Sequence, residues 1–164
     1  MVSVILNNLT ETDLGLYSPH ELEEWDAKTR ALYEYWVSIR PAEIGLPGRQ
    51  HFDPVDVPLL LPNIWLIDVL TSPLRFKFRL FGTAHYDPMR GEHTGKFIDE
   101  AYPDFINSST YAHYVNLAEK AEISHRRGPA TFHIPDHKNL ERVMLPLARN
   151  GKDVDMILAL TVYL

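Results

Sequence analysis

The stretch from Arg49 to Pro62, Arg-Gln-His-Phe-Asp-Pro-Val-Asp-Val-Pro-Leu-Leu-Leu-Pro, limits this chain more than any other. Pro54, Pro58 and Pro62 recur at every fourth position. Proline lacks an amide N–H and clashes with the preceding helical turn, so the stretch cannot be a helix. Each proline also drives the residue before it toward extended backbone. Phe52 and Leu59-Leu60-Leu61 give the stretch apolar weight that calls for a core. It therefore reads as an ordered lead-in to the two apolar runs that follow and to Phe81-Gly82-Thr83, not as a linker.

With 164 residues, the chain is expected to hold one domain over 41–164, with residues 1–40 as an N-terminal extension carrying a helix. It is 45% apolar and 23% charged, ordinary for a globule that buries its own core. It has no cysteine, so disulfides, thiolate metal sites and cysteine nucleophiles are excluded. That suits a reducing compartment, and a cytoplasmic location is expected. Met1 to Asn8 has no basic n-region, and no apolar run approaches a membrane span. A net charge of −6 argues against nucleic-acid binding. The short basic cluster His125-Arg126-Arg127 is expected near the end of a helix, where it favours the dipole.

Residues 18–39 read as one amphipathic helix. Ser18, Pro19 and Glu21 form a capping box with proline in the first turn. Leu22, Trp25, Thr29, Leu32, Tyr33 and Trp36 follow at spacings of three and four, and Pro41 ends the run. Such a face suits either its own domain or a second copy of the chain. Residues 64–70 and 74–81 read as a hairpin, with Phe76, Phe78 and Leu80 on one face and Arg75, Lys77, Arg79 and Phe81 on the other. A helix is expected around 108–124, stopped by Gly128-Pro129. Strands are expected at 130–134, 140–148 and 154–163, the last two joined at Asn150-Gly151. Two hairpin-like halves around a helical middle argue for an α+β domain with an antiparallel sheet, and against a doubly wound nucleotide fold.

This order resembles the PAS domain, a five-stranded antiparallel sheet with its helices between strands 2 and 3. The matching residues are Arg49, Phe52-Asp53-Pro54, Pro58-Leu59-Leu60-Leu61-Pro62, Phe78-Arg79-Leu80-Phe81-Gly82-Thr83, Thr94-Gly95-Lys96 and Met144-Leu145-Pro146-Leu147-Ala148. They run from about residue 30 to the end of the sequence, and are most similar to stand-alone proteobacterial PAS domains. The resemblance implies a non-enzymatic sensor or adaptor in bacterial signalling that binds a small ligand, a partner signalling protein, or both. It also implies a homodimer through the N-terminal helix, with Leu22, Trp25, Leu32, Tyr33 and Trp36 at the interface. It assigns no cofactor.

Eight histidines invite a metal or haem reading, namely His20, His51, His85, His93, His113, His125, His133 and His137. None forms a ligand motif; Pro135 breaks the helical spacing of His133 and His137. His85, His93 and His113 suit a haem by position only. Ser108-Ser109-Thr110 reads as helix capping rather than a nucleophile, and no nucleophile elbow or phosphate loop is present. The carboxylate pairs Asp99-Glu100 and Asp153/Asp155 read as turn residues. The expected site is a pocket between sheet and helices, lined by Phe78, Leu80, Tyr86, Phe97, Tyr111, Tyr114, Met144 and Leu158, with Arg79 or His85 as polar anchor. Against it stands a filled core, with Arg79 turned outward to Glu141. The alternative from another class is a small cone-fold isomerase of the ketosteroid type with a buried carboxylate base.

Overall fold

The computed structural model describes residues 17–41, 45–131 and 139–164. The N-terminal amphipathic stretch forms two helices, α1 (Pro19–Leu22) and α2 (Ala27–Ser38). The capping box is present: Glu21 Oε2 accepts from the Ser18 N–H at 2.7 Å, and Ser18 Oγ from the Glu21 N–H at 3.3 Å. The expected single helix is interrupted because Asp26 starts a new one. Its carboxylate accepts from the Lys28 N–H at 2.8 Å, while its own N–H donates to Glu141 Oε2 at 2.7 Å rather than to a preceding turn.

The lead-in segment is a chain of 3₁₀ turns at Arg49–His51, Pro54–Asp56 and Leu61–Asn63. Each proline within a turn sits in its first positions, where no N–H is needed. Phe52, Val57 and Leu60 are buried, whereas Leu59 is 84% exposed. Only the middle leucine of the Leu59-Leu60-Leu61 run is fully committed to the core, because a 3₁₀ turn cannot point three consecutive side chains one way.

Five strands follow: β1 (Ile64–Leu70), β2 (Arg75–Phe81), β3 (Ser124–Pro129), β4 (Asn139–Leu147) and β5 (Met156–Tyr163). Between β2 and β3 lie α3 (Ile98–Ala101) and α4 (Tyr111–Lys120). The strands form one antiparallel sheet in the order β2-β1-β5-β4-β3. Gly82 closes the β2 end. A Cβ there would stand 2.3 Å from the Pro62 carbonyl oxygen and 2.6 Å from that of Ile64, so the lead-in backbone can cross only a glycine.

One strand expectation lies largely outside the described residues, and two other expectations are corrected. The strand expected at 130–134 lies mostly outside the described residues, and β3 instead takes Ser124–Pro129. Helix α4 ends at Ala121 in the left-handed conformation, so His125-Arg126-Arg127 is an edge strand and not a helix end. In β2, Ile67 pairs with Phe78 and Leu66 with Leu80, which leaves Arg79 as an extra residue. This bulge breaks the two-residue alternation, so Leu80 turns outward at 41% exposed and Phe81 turns inward at 6%.

The sheet is covered on both faces. Ile64, Leu66, Val143, Leu145, Leu158 and Leu160 meet Leu32, Tyr33 and Trp36 of α2. Trp65, Ile67, Phe76, Phe78, Met144 and Ile157 meet Ile98, Phe105, Tyr114 and Leu117. This explains why β4 and β5 read as nearly continuous apolar runs. The proposed dimer residues are corrected here. Leu22, Trp25, Leu32, Tyr33 and Trp36 are all buried within their own domain, and Trp36 Nε1 donates to the Pro146 carbonyl at 2.9 Å.

Candidate functional site

A largely enclosed cavity of about 20 Å³ lies on the sheet face covered by α4. Its apolar walls are Trp65, Phe81, Met89 and Leu140. Its polar lining is His85, Tyr114, Arg126, Thr131, Arg142, Thr161 and Tyr163. Strand periodicity places these groups together. Trp65, Leu140, Arg142 and Thr161 all lie at positions whose side chains point to this face.

His85 is held from both sides. Nε2 stands 2.9 Å from the Asn63 carbonyl oxygen and Nδ1 2.9 Å from the Tyr163 hydroxyl. The carbonyl can only accept, so Nε2 carries the proton and Nδ1 accepts from Tyr163. Burial lowers the imidazole pKa from 6.5 to about 4, outweighing the opposing hydrogen bond to Asn63, so the ring is neutral at pH 7. Burial likewise raises the Tyr114 and Tyr163 phenols. Around the same wall, Trp65 Nε1 donates to Thr161 Oγ1 at 3.2 Å.

Arg142 is 4% exposed. Burial lowers its pKa to about 10, and Arg126 acts in the same direction, so it remains charged at neutral pH. Its Nη2 approaches Ser124 Oγ at 3.0 Å and His113 Nδ1 at 3.2 Å. It also lies 5.8 Å from the centre of the Tyr114 ring.

The preceding residue on β4, Glu141, points to the opposite face and is fully buried. It receives the Asp26 N–H at 2.7 Å and the Thr29 hydroxyl, both at the start of α2. His125 and Arg127 approach it from β3 at 3.7 and 3.9 Å. His125 in turn stacks on Trp25, with ring centres 3.8 Å apart. A second link joins the cavity to α2. Asn63, whose carbonyl holds His85, donates its side-chain amide to the Thr161 carbonyl and accepts from Lys28 Nζ at 3.1 Å.

Of the expected pocket residues, His85 and Tyr114 line the cavity. Phe78 and Met144 are buried in the adjoining core. Tyr111 packs on Phe76 and Phe105. Leu158 is corrected to the opposite face, against α2, because it is one residue out of phase with Ile157 and Ala159. Leu80 and Arg79 are corrected outward by the bulge. Arg79 faces Asp68 at 3.8 Å rather than Glu141, which lies three strands away in the sheet. Tyr86 is 39% exposed and stacks on the outer side of Phe81. Phe97 lies under the Arg75 guanidinium, 3.6 Å away.

Sequence reasoning missed the other nine lining residues, Trp65, Phe81, Met89, Arg126, Thr131, Leu140, Arg142, Thr161 and Tyr163. The available signal was Glu141-Arg142 in the middle of an apolar strand, where two charges have no solvent face to reach.

Among the described residues no three of His, Asp and Glu converge as a metal set. His133 and His137 lie outside them. The capping expected of Ser108-Ser109-Thr110 is corrected: Thr110 stands at the N-cap of α4 but its side chain accepts no capping hydrogen bond, and Ser108 Oγ donates to the Phe105 carbonyl. Asp99 and Glu100 are ion-paired to Arg75 at 2.7 and 3.0 Å, and Asp153 and Asp155 hold the β4–β5 turn. No helix among the described residues is long and apolar enough to cross a membrane.

An antiparallel sheet of this order, with helices between β2 and β3 enclosing a small cavity, defines an α+β domain of the PAS-like fold. The PAS domain family matches the chain over residues 25–161, and the protein belongs to that family. PAS domains are generally non-enzymatic sensory domains of signalling proteins. No curated protein matches the chain.

Proposed function

We propose that this PAS domain is a non-enzymatic sensor of bacterial signalling that binds a small molecule in the cavity beside His85 and reports occupancy to a partner protein through α2. The absence of cysteine suits work in a reducing cytoplasm. The observation that carries the reading is the pair of links between cavity and helix. One runs from Tyr163 through His85 and Asn63 to Lys28. The other is β4 itself, with Arg142 on the cavity face and Glu141 gripping Asp26 and Thr29 on the helix face. Both reach the first turn of α2. A ligand that prefers one spacing of β3 and β4 shifts the position of that turn by its differential affinity for the two arrangements.

The cone-fold isomerase alternative needs a carboxylate base in the cavity. Among the described residues lining it there is no Asp or Glu. The test is native mass spectrometry of protein purified from its own host, beside a denatured sample. A small molecule retained in the first and lost in the second is the expected result. An empty protein sinks the ligand-sensing reading and leaves partner binding alone.

A further inference from the structure

Arg126 of β3 and Arg142 of β4 stand directly opposite one another in the antiparallel register, and both line the cavity. Like charges at opposed positions destabilise a sheet. A buried charge without a counter-charge costs several kcal/mol more. Among the described residues no carboxylate pairs with either guanidinium; the buried carboxylate of this sheet end, Glu141, lies on the other face and faces Arg127. The partners of Arg142 are neutral groups on one side, and its Nε, buried, has no hydrogen-bond partner. Arg126 spends an N–H on the Pro129 carbonyl. Two cations therefore converge on one small, mostly apolar space with donor capacity unused.

We propose that the cavity takes a small organic carboxylate, its anionic head held by Arg142 and Arg126 and its short apolar body against Trp65, Phe81 and Leu140. This rests on the ligand-sensing reading above and adds the class of ligand. The planar guanidinium fork matches a carboxylate through two parallel N–H···O bonds. A volume of about 20 Å³ restricts the guest to the smallest acids. The Thr131 and Thr161 hydroxyls on the same lining add polar contact beside the head. Filling the site replaces a repulsion across β3 and β4 with a bridge between them, which is how occupancy would reach Glu141 and α2.

The test is thermal unfolding and titration calorimetry at pH 7 with formate, acetate and propionate, against chloride and inorganic phosphate at equal ionic strength. The expected result is a carboxylate-specific rise in melting temperature. Arg142→Met and Arg126→Met are expected to fold, to melt at or above the wild type without ligand, and to bind the carboxylate at least tenfold more weakly. A carboxylate response no larger than that of chloride overturns the proposal. So does Arg142→Met melting well below the wild type while Arg126→Met keeps full carboxylate affinity, since Arg142 is then structural. Native mass spectrometry separates the two failures. A bound neutral or cationic molecule overturns the carboxylate and leaves the sensor standing, whereas a bound carboxylic acid supports both.

Discussion

At the scale of residues, His85 holds its neutral form against protonation. The unfolded imidazole titrates near 6.5 and the folded one near 4, so the unfolded state binds more protons between those values. The contribution is complete above pH 6.5 and is lost as the pH falls toward 4. At roughly 1.4 kcal/mol per pH unit, this caps at about 3 kcal/mol. Urea unfolding at several pH values is expected to show a shallower acid loss for His85→Gln than for the wild type; equal slopes would mean that another group carries it. Tyr114 was legible as a site residue because it lies on the apolar face of the helix; His85 and Tyr86 were equally expected after β2, and only His85 turns inward. Phe81 and Arg142 were not legible. The bulge at Arg79 reversed the facing of Phe81, and a charged residue in a strand points to a site only once both faces of the sheet are known to be buried.

At the scale of elements, the start of α2 is set by a carboxylate 115 positions away in sequence. Glu141→Ala leaves the Asp26 N–H and the Thr29 hydroxyl without their acceptor, at a cost of about 2 kcal/mol. Glu141→Gln keeps one acceptor and is expected to recover more than half of it. Denaturant unfolding checks the magnitude, and faster amide exchange confined to α2 checks the place. No change in α2 exchange would break the link between β4 and this helix. Gly82→Ala forces a methyl into the lead-in carbonyls and is expected to cost about 2 kcal/mol in the same assay. The capping box at Ser18 and the turn at Asn150-Gly151 were readable locally because they depend on residues within three or four positions. The break at Asp26 was not, because its cause lies on β4.

At the scale of the molecule, the aromatic stripe of α2 packs on its own sheet. Trp36→Ala is expected to cost about 3–5 kcal/mol by opening a cavity under the helix. The melting temperature of the wild type is expected to be independent of protein concentration across a hundredfold range. A concentration-dependent melt of the wild type, lost in this variant, would return the helix to an intermolecular role. The sequence alone determined the order of elements, the antiparallel class of the sheet and an ordered lead-in that cannot be an α-helix, because proline geometry, turn chemistry and apolar periodicity act over a few residues. The tertiary structure alone decided that α2 covers the sheet, that Leu80 faces out while Phe81 faces in, and that Arg126 meets Arg142 across a cavity. Those outcomes depend on strand register and on which element covers each face, and both are set by contacts between residues far apart in the chain.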